Sequence, residues 1–347
     1  MNFSNLDIIV FGGFILFIIV ISIYVSRHEK NSEDYFLAGR SLSWWLIGIS
    51  LIASNISTEH FVGMAGQGFR KDIGMAVASF EWIGALALVI VALFLLPRLL
   101  KSGIFTIPQY LEYRYDRKTR TLLSIFMLVF YVTITIATVL YAGAFALKEI
   151  FDISLITGIW LVGLTAGLYT VYGGLKAVVW SDMIQGTFLL MGGALMTYLG
   201  MKEVGGWDRF VELSDGRLHT VLPLDHPTLP WLAVFVGGMW IPNLFYFGLN
   251  QFIVQRTLGA KSIIEGQKGI LFGASIKLIM PIIIIFPGII AFELYGDQIL
   301  NGDAAYPVLI THLLPAGLVG LFFAALFGAT MSTLDSQIGR ASCRERV

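Results

Sequence analysis

The chain has 347 residues, of which 56% are hydrophobic and 13% charged, a composition that argues against an ordinary soluble globule. Its 23 basic and 23 acidic residues give a formal net charge of zero, so charge balance says nothing about nucleic acid, and we expect no nucleic-acid partner. The single cysteine, Cys343, excludes an internal disulfide framework, and the five histidines are scattered. No nucleophile–base pattern, phosphate loop or Cys/His cluster is found, so we expect a membrane protein that is not an enzyme.

Apolar segments of about 20 residues or more, the length that crosses a bilayer as a helix, recur along the whole chain. Nine are predicted, at residues 7–26, 43–67, 74–99, 121–147, 153–171, 175–200, 229–253, 269–292 and 313–338. The first has no basic leader and no small-residue cleavage site, so we expect it to be retained as a helix. After the third span, FTIPQYLEYRYD predicts a short interfacial helix, whereas residues 201–228 and 293–312 predict long loops on the other side.

The basic residues predict the orientation, because inside loops carry an excess of Lys and Arg. With the N-terminus outside, the inside loops hold thirteen: Arg27, Lys30, Arg40, Arg98, Lys101, Arg114, Arg117, Lys118, Arg120, Lys176, Arg256, Lys261 and Lys268. The outside loops then hold six: Arg70, Lys71, Lys148, Lys202, Arg209 and Arg217. We therefore predict a multi-pass protein of the plasma (cell inner) membrane with its N-terminus outside and the lipid bilayer as its surroundings.

The second span is interrupted by the polar run SNISTEH, from Ser54 to His60. Two interpretations stay open on residue types alone. A break in the helix would free backbone carbonyls, which is tolerated where the backbone lines a cavity and is how many secondary transporters build their binding sites. A continuous helix would instead have these side chains bond its own carbonyls or a neighbouring helix.

The last span carries Ala329, Ser332 and Thr333 at a spacing that places them on one face of a helix. Two hydroxyls with nearby carbonyls make a neutral oxygen site, which a hard cation such as Na⁺ prefers. The alternative is that these small residues only pack against a neighbouring helix.

Charged side chains lie inside two apolar spans, Glu81 in the third and Lys277 in the eighth. A charge in hydrocarbon costs about 2.5–3.5 kcal/mol on insertion scales, so each is expected to face a partner, a cavity or a substrate. The two either form a structural ion pair or bind a hydroxylated substrate together, and Asn243 and Tyr246 in the seventh span would suit a sugar. Asp182, near the inside end of the sixth span, is either an interfacial acid or a station on an ion exit path.

Several stretches of the chain resemble the sodium/solute symporters, and within that family the sodium/glucose–galactose cotransporter branch. They are SLIASNISTEHFVGMAGQG, ASFEW, YTVYGGLKAVVWSDMIQ, NLFYFGLNQFIVQRTLGAKSIIEGQKGILF and MSTLDSQI, and they cover about residues 34–338. The resemblance implies an all-α membrane protein with a LeuT-like inverted repeat. An extra N-terminal helix would precede a five-helix repeat at about 43–200 and an inverted second repeat from about 229, of which only three helices are present.

The resemblance also implies a role for particular residues. The sodium ligands would be the carbonyls of Ala53 and Ile56 with Ala329, Ser332 and Thr333. The substrate contacts would be His60, Glu81, Asn243 and Lys277, with Tyr246 as an inner aromatic gate, and Asp182 would be linked to sodium release. His60 and Gly84 stand where glutamine and serine are usual in the branch, so the particular sugar is left open.

The residues and the resemblance together predict a sodium-coupled symporter, with Na⁺ as the coupling ion and a neutral monosaccharide such as glucose or galactose as cargo. A family member for an amino acid, an inositol, sialic acid or a carboxylate is the first alternative, and a ligand sensor without transport is the second. We expect one transporter domain over residues 1–338, with further C-terminal helices missing, and a non-native tail, GRASCRERV, over residues 339–347.

Overall fold

The computed structural model describes residues 4–26, 32–57, 59–104, 106–151, 153–214 and 216–342. Over these residues the chain is a helical bundle without named strands. The α-helices in chain order are α1 (Asn5–Ser26), α2 (Ser32–Leu37), α3 (Trp44–Asn55), α4 (Ala65–Phe69), α5 (Ser79–Ile90), α6 (Leu96–Lys101), α7 (Ile107–Arg114), α8 (Arg117–Phe130), α9 (Ile136–Phe151), α10 (Leu155–Val204), α11 (Trp207–Leu213), α12 (Trp231–Phe235), α13 (Trp240–Gly248), α14 (Gln251–Leu258), α15 (Ile263–Tyr295), α16 (Ala305–Leu313) and α17 (Leu318–Ser342).

All nine predicted spans coincide with helices. Six helical stretches are long and apolar enough to cross a membrane: Asn5–Val25, Gly74–Lys101, Arg117–Tyr141, Gly174–Val204, Trp231–Gly248 and Ile263–Gln298. Three shorter apolar helices, Trp44–Asn55, Leu155–Gly167 and Leu318–Leu334, occupy the remaining predicted positions. The chain is therefore a multi-pass membrane protein.

Helix boundaries depart from the predicted ones at two glycines with positive φ. The spans predicted at 153–171 and 175–200 form the single helix α10, which is bent at Gly174 (φ 53°, ψ −159°), a conformation that suits glycine. The last span was predicted to begin at residue 313, but α17 begins at Leu318, after Gly317 adopts φ 89°. Helix α17 continues through residues 339–342 of the predicted tail, and residues 343–347 lie outside the described residues.

Two spans are broken near their middle, and each is the first helix of one predicted repeat. Helix α3 ends at Asn55, Ile56 is extended (φ −70°, ψ 126°), and a π-helical turn from His60 leads into α4. Thr58, within the predicted run, lies outside the described residues. Helix α13 ends at Gly248, and α14 restarts after Asn250, which is also extended (φ −74°, ψ 117°). The broken-helix interpretation of the second span is confirmed.

Helix α15 lies at the centre of the bundle and packs against both halves of the first broken span as well as α5 and α10. Close approach depends on glycine: a Cβ on Gly48 of α3 would lie 2.8 Å from the carbonyl oxygen of Gly269 on α15. On the other half, Gly288 of α15 meets the backbone of Ala65 so closely that a Cβ would collide with its carbonyl. Small residues at such crossings let membrane helices pack backbone to backbone.

One end of the bundle, which we call the α7 end, joins the connections that flank α3, α7 and α14. Leu42 pairs with the backbone of Lys261, which donates to its carbonyl at 3.1 Å, and Ile107 of α7 packs in one buried cluster with Val254 and Leu258 of α14. Helix α3 begins just after Leu42 and α14 ends just before Lys261. Both helices are thus the halves of their broken spans that lie toward the α7 end.

Two basic residues that the orientation count placed in loops are buried. Arg217 lies in a turn, as predicted, whereas Arg256 lies in α14, so its placement in a loop is wrong. Arg256 is 1% exposed and its Nη2 lies 2.6 Å from Asp182 Oδ2. Arg217 is 2% exposed; its guanidinium lies over the Phe292 ring, 3.3 Å from the centroid, and its Nε donates to the Phe69 carbonyl. Without these two the count is twelve against five, so the bias keeps its direction.

Candidate substrate and sodium sites

A buried polar cluster lies beside the first helix break. Lys277 on α15 donates to Glu81 Oε2 on α5 and to Asn55 Oδ1 at the end of α3, both at 2.6 Å. Lys277 is 1% exposed and Glu81 3%, so the pair is shielded from water. Each charge therefore has the partner that a charge inside an apolar span requires.

The break itself brings His60 into this cluster. The backbone amide of Ser57 donates to His60 Nδ1 at 3.2 Å. Because Nδ1 accepts this hydrogen bond, a neutral His60 ring carries its proton on Nε2. Nε2 faces Glu81 Oε1 at 3.4 Å. His60 is half-buried, so one edge of the cluster is a ring that remains accessible.

Asn243 and two aromatic rings of α13 close the side of the cluster nearest Gly84. A Cβ on Gly84 would lie 2.8 Å from Lys277 Cε, 3.0 Å from Asn243 Oδ1 and 3.1 Å from Phe247 Cε2, so all three side chains converge there. The Lys277 ammonium lies 5.1 Å from the centre of the Phe247 ring, within cation–π range. Tyr246 contacts Phe247 edge to face, with ring centres 5.0 Å apart. The structure thus groups His60, Glu81, Asn243 and Lys277 and sets Tyr246 beside them.

The same break leaves two carbonyls at the end of α3 without the amides that would bond them in a continuous helix. In a continuous helix the carbonyls of Ala53 and Ile56 would accept from the amides of Ser57 and His60. Here the Ser57 amide bonds the His60 ring, and the His60 amide donates to the Ser57 carbonyl at 3.0 Å. Ala53 and Ile56, the two predicted backbone ligands, therefore present carbonyl oxygens released from the helical ladder.

Helix α17 packs against α3 and supplies the other predicted oxygens. Thr333 Oγ1 donates to the Ala329 carbonyl at 3.0 Å, which holds the hydroxyl on the predicted face. Ser332 is fully buried, and its hydroxyl donates to Asp182 Oδ1. A hydroxyl that donates keeps lone pairs with which to accept a cation. Neutral carbonyl and hydroxyl oxygens are the ligands a hard cation such as sodium prefers, so these residues fit it.

Asp182 lies inside the bundle and is not exposed at its surface. It is completely buried, and its Oδ2 accepts from Ser50 Oγ at 2.6 Å, Ser54 Oγ at 3.1 Å and Arg256 Nη2 at 2.6 Å. With Ser332 on its other oxygen, this carboxylate joins α3, α10, α14 and α17. It lies next to the predicted sodium ligands rather than apart from them.

Four residues of these clusters escaped the sequence analysis as site residues: Ser50, Asn55, Phe247 and Arg256. Asn55 lies inside the polar run, so the run itself was the available signal. Phe247 is one aromatic among many in apolar spans, and nothing in the sequence distinguishes it. Arg256 follows an apolar span and precedes a glycine, a context that resembles a loop, and its partner Asp182 is 74 positions away.

Comparison with known proteins identifies the family. The family model described as "Sodium:solute symporter family" matches residues 35–344. A "Sodium/glucose cotransporter" of Vibrio parahaemolyticus is 42% identical over 96% of this chain and 67% of that protein. An "Uncharacterized symporter YidK" of Escherichia coli (strain K12) is 40% identical over 98% of this chain and 62% of that protein. The chain thus spans about two thirds of the length of these relatives.

A solved structure confirms the fold class. It is described as the substrate-bound outward-open state of a Na⁺-coupled sialic acid symporter with a novel Na⁺ site. It matches with a TM-score of 0.87 and 25% identity, over 97% of this chain and 73% of that one. The LeuT-like architecture and sodium as coupling ion, both predicted, agree with these matches. The chain belongs to the sodium:solute symporter family.

Proposed function

We propose that the chain forms the greater part of a symporter that couples sodium to the movement of a small neutral solute, a sugar such as glucose or galactose. The observation that carries the proposal is the buried cluster of Glu81, Lys277, Asn55 and His60, with Asn243 beside it. The 42% identity to a sodium/glucose cotransporter supports the same cargo class. Residues 1–338 are assigned to this single transporter domain.

A neutral polyol suits this cluster better than an ion. Glu81 and Lys277 neutralise each other at 2.6 Å, so the cluster offers hydrogen bonds without a net charge to attract an ion. Sugar hydroxyls both donate and accept, and could pair with the carboxylate, the ammonium and the two amides at once. The rings of Tyr246 and Phe247 add an aromatic surface for the apolar face of a pyranose.

The geometry of the break suggests how sodium and solute are coupled. The proposed ion ligands Ala53 and Ile56 and the proposed solute contacts Asn55 and His60 belong to one short stretch of backbone. Sodium binding that orders this stretch would also order the solute contacts. The two sites would then be linked by a coupling free energy. Bound sodium would supply a positive charge whose inward movement yields about 2.3 kcal/mol per 100 mV of membrane potential.

The orientation follows from the bias in basic residues, which places the N-terminus outside and the α7 end inside the cell membrane. Helices α3 and α14, the halves toward the α7 end, would then be the inner halves of the two broken spans. Asp182, joined to both, would lie between the sodium ligands and the inside solution. This position supports its assignment to the ion release path.

Sialic acid is the alternative cargo that a specific observation favours, because the matched solved structure is that of a sialic acid symporter. An anionic cargo would have to compete with Glu81 for Lys277, and the Glu81 carboxylate would repel it. Amino acids, inositols and small carboxylates are further outcomes of the same test.

The cargo test is competition against labelled galactose uptake by the full-length parent protein in proteoliposomes. The panel contains hexoses, their deoxy analogues, myo-inositol, proline, sialic acid and lactate. We expect hexoses to compete and deoxy analogues to compete about one to two orders of magnitude more weakly, since a buried polar group left unpaired costs roughly 1–3 kcal/mol. Competition by proline or the acids alone would remove the sugar assignment and leave the family.

A further inference from the structure

The Asp182 carboxylate is saturated with donors from three other helices. Ser50 and Ser54 come from α3, Arg256 from α14 and Ser332 from α17. Arg256 also donates through Nε to Ser50 Oγ at 2.7 Å, so the guanidinium is held by two groups that themselves touch. The cluster is therefore one compact polar unit.

This unit ties together the halves of the two broken spans that lie toward the α7 end. Helix α3 carries Ser54 in its last turn before the break and Ser50 one turn earlier, and Arg256 lies in the last turn of α14, which follows the other break. Alternating access moves one group of helices against another around the binding site. As long as Arg256 stays on Asp182, α3 and α14 remain joined at this point.

Charge balance limits what else the carboxylate can hold. Asp182 is 0% exposed and Arg256 1%, so water screens neither charge. One carboxylate neutralises one guanidinium, and a second cation there would leave a buried positive charge uncompensated, which is unfavourable. Ser332 is both a proposed sodium ligand and a donor to Asp182, so the ion site and this carboxylate are directly adjacent.

We propose that Arg256 is a tethered counter-cation that competes with sodium for Asp182. While the guanidinium neutralises the carboxylate, sodium at the neighbouring oxygens is held by neutral ligands alone. When the ion moves onto Asp182, Arg256 must leave, and its departure separates α14 from α3 and α10. Arg256 is thus a positioning residue that sets the affinity for sodium, an inference that rests on the sodium site of the proposed function.

The proposal predicts the sign of a mutational effect that a purely structural arginine would not produce. Arg256→Gln leaves Asp182 without a cation, so sodium should bind more tightly in its place. We expect the sodium concentration for half-maximal effect to fall by about fivefold or more, the low end of usual coupling between sites. A structural role predicts the reverse, since a loosened cluster would hold sodium less well.

The experiment measures thermal unfolding of the purified 347-residue chain and its full-length parent across a sodium chloride series, with choline chloride holding ionic strength constant. A ligand that binds only the folded state raises the unfolding temperature with its concentration, so the series gives the half-saturation without transport. The variants are Arg256→Gln, Arg256→Lys, Asp182→Asn and the Asp182→Asn/Arg256→Gln pair. Arg217→Gln is the matched control, because Arg217 is also buried but has Phe69, Phe292 and Glu293 as its neighbours.

We expect tighter sodium binding in Arg256→Gln and an intermediate sodium affinity in Arg256→Lys, because lysine keeps the charge but lacks the guanidinium fork. The double variant and the Arg217 control should show no gain in sodium affinity. If Arg256→Gln does not fold, the lysine variant carries the same test. Weaker or unchanged binding in both Arg256 variants, or a gain that persists without the Asp182 charge, overturns the proposal and leaves the sodium site standing. A parent protein that sodium does not stabilise overturns the sodium site and this inference together.

Discussion

Glu81 and Lys277 form a buried ion pair at 2.6 Å that joins the two halves of the transporter. Glu81 lies on α5, in the second span of the first repeat, and Lys277 on α15, in the second span of the inverted repeat. Corresponding helices of the two repeats therefore meet through their charged side chains beside the first helix break, where Asn55 also receives a hydrogen bond from Lys277.

Substitutions of this pair distinguish a role in solute binding from a purely structural role. Glu81→Gln and Lys277→Met should each destabilise the fold by about 3–5 kcal/mol, because a buried charge loses its partner. The double variant should regain stability yet fail to take up solute, since the ligand groups remain absent. Thermal unfolding and uptake measured on the same preparations separate the structural role from the role in solute binding.

The exposed pair of Arg70 and Asp72, also at 2.6 Å, is the control, and its double replacement should cost less than about 1 kcal/mol. Restored uptake in the Glu81/Lys277 double variant would show that the pair is structural only.

Gly84 sets the room available beside Lys277 and Asn243. A Cβ there would meet Lys277 Cε at 2.8 Å and Asn243 Oδ1 at 3.0 Å, closer than packed side chains allow. Gly84→Ala should therefore raise the solute half-saturation concentration by about tenfold, the effect of an overpacked site costing about 1–3 kcal/mol. The control is Gly13→Ala, because nothing lies within 4 Å of a Cβ on Gly13. An unaltered half-saturation in Gly84→Ala would place the solute elsewhere.

A substitution at Ser332 tests the proposed ion ligands on α17. Ser332→Ala removes one proposed oxygen ligand and the hydrogen bond to Asp182. We expect the sodium half-saturation of uptake to rise about fivefold or more. Ser275→Ala is the matched control, because Ser275 is an exposed serine on α15 whose hydroxyl bonds only its own helix at Leu271. Equal sodium responses in both variants would exclude Ser332 from the ion site.

Asp7 connects the extra N-terminal helix to α17, which carries proposed ion ligands. Its Oδ1 accepts from the amides of Gly317 at 2.7 Å and Gly320 at 2.8 Å, so a side chain of α1 caps the start of α17. Asp7→Ala should lower the free energy of unfolding by about 1–2 kcal/mol, the usual cost of a lost cap. Asp208→Ala, which changes an exposed acid in the first turn of α11, should have little effect. A stability loss no larger than that control would contradict the capping role.

The sequence predicted those features whose signal is local. Glu81 and Lys277 stand out because charge is rare inside apolar spans, and SNISTEH marks the break in the second span because so many polar residues interrupt an apolar helix. The burial of Asp182 and Arg256 carried no local signal, because both lie near span ends among polar neighbours and are buried by contacts with α3 and with each other. The cap that Asp7 provides for α17 spans 310 positions and depends on tertiary structure in the same way.

The identity of the ion ligands stays a prediction. The structure releases the Ala53 and Ile56 carbonyls and places Ser332 and Thr333 on α17, which packs against α3. The spacing in α17 could not identify them as ligands, because hydroxyl residues at positions i, i+3 and i+4 serve packing and binding alike.

The most direct test of the account is uptake of labelled glucose and galactose into proteoliposomes that contain the whole protein, under an inward sodium gradient or an equal potassium gradient. The account predicts accumulation above the outside concentration with sodium only, collapse of that accumulation when a sodium ionophore is added, and its loss in Lys277→Met. Equal uptake under potassium, or no uptake of either sugar while another solute of the panel accumulates with sodium, would contradict sodium-coupled sugar symport.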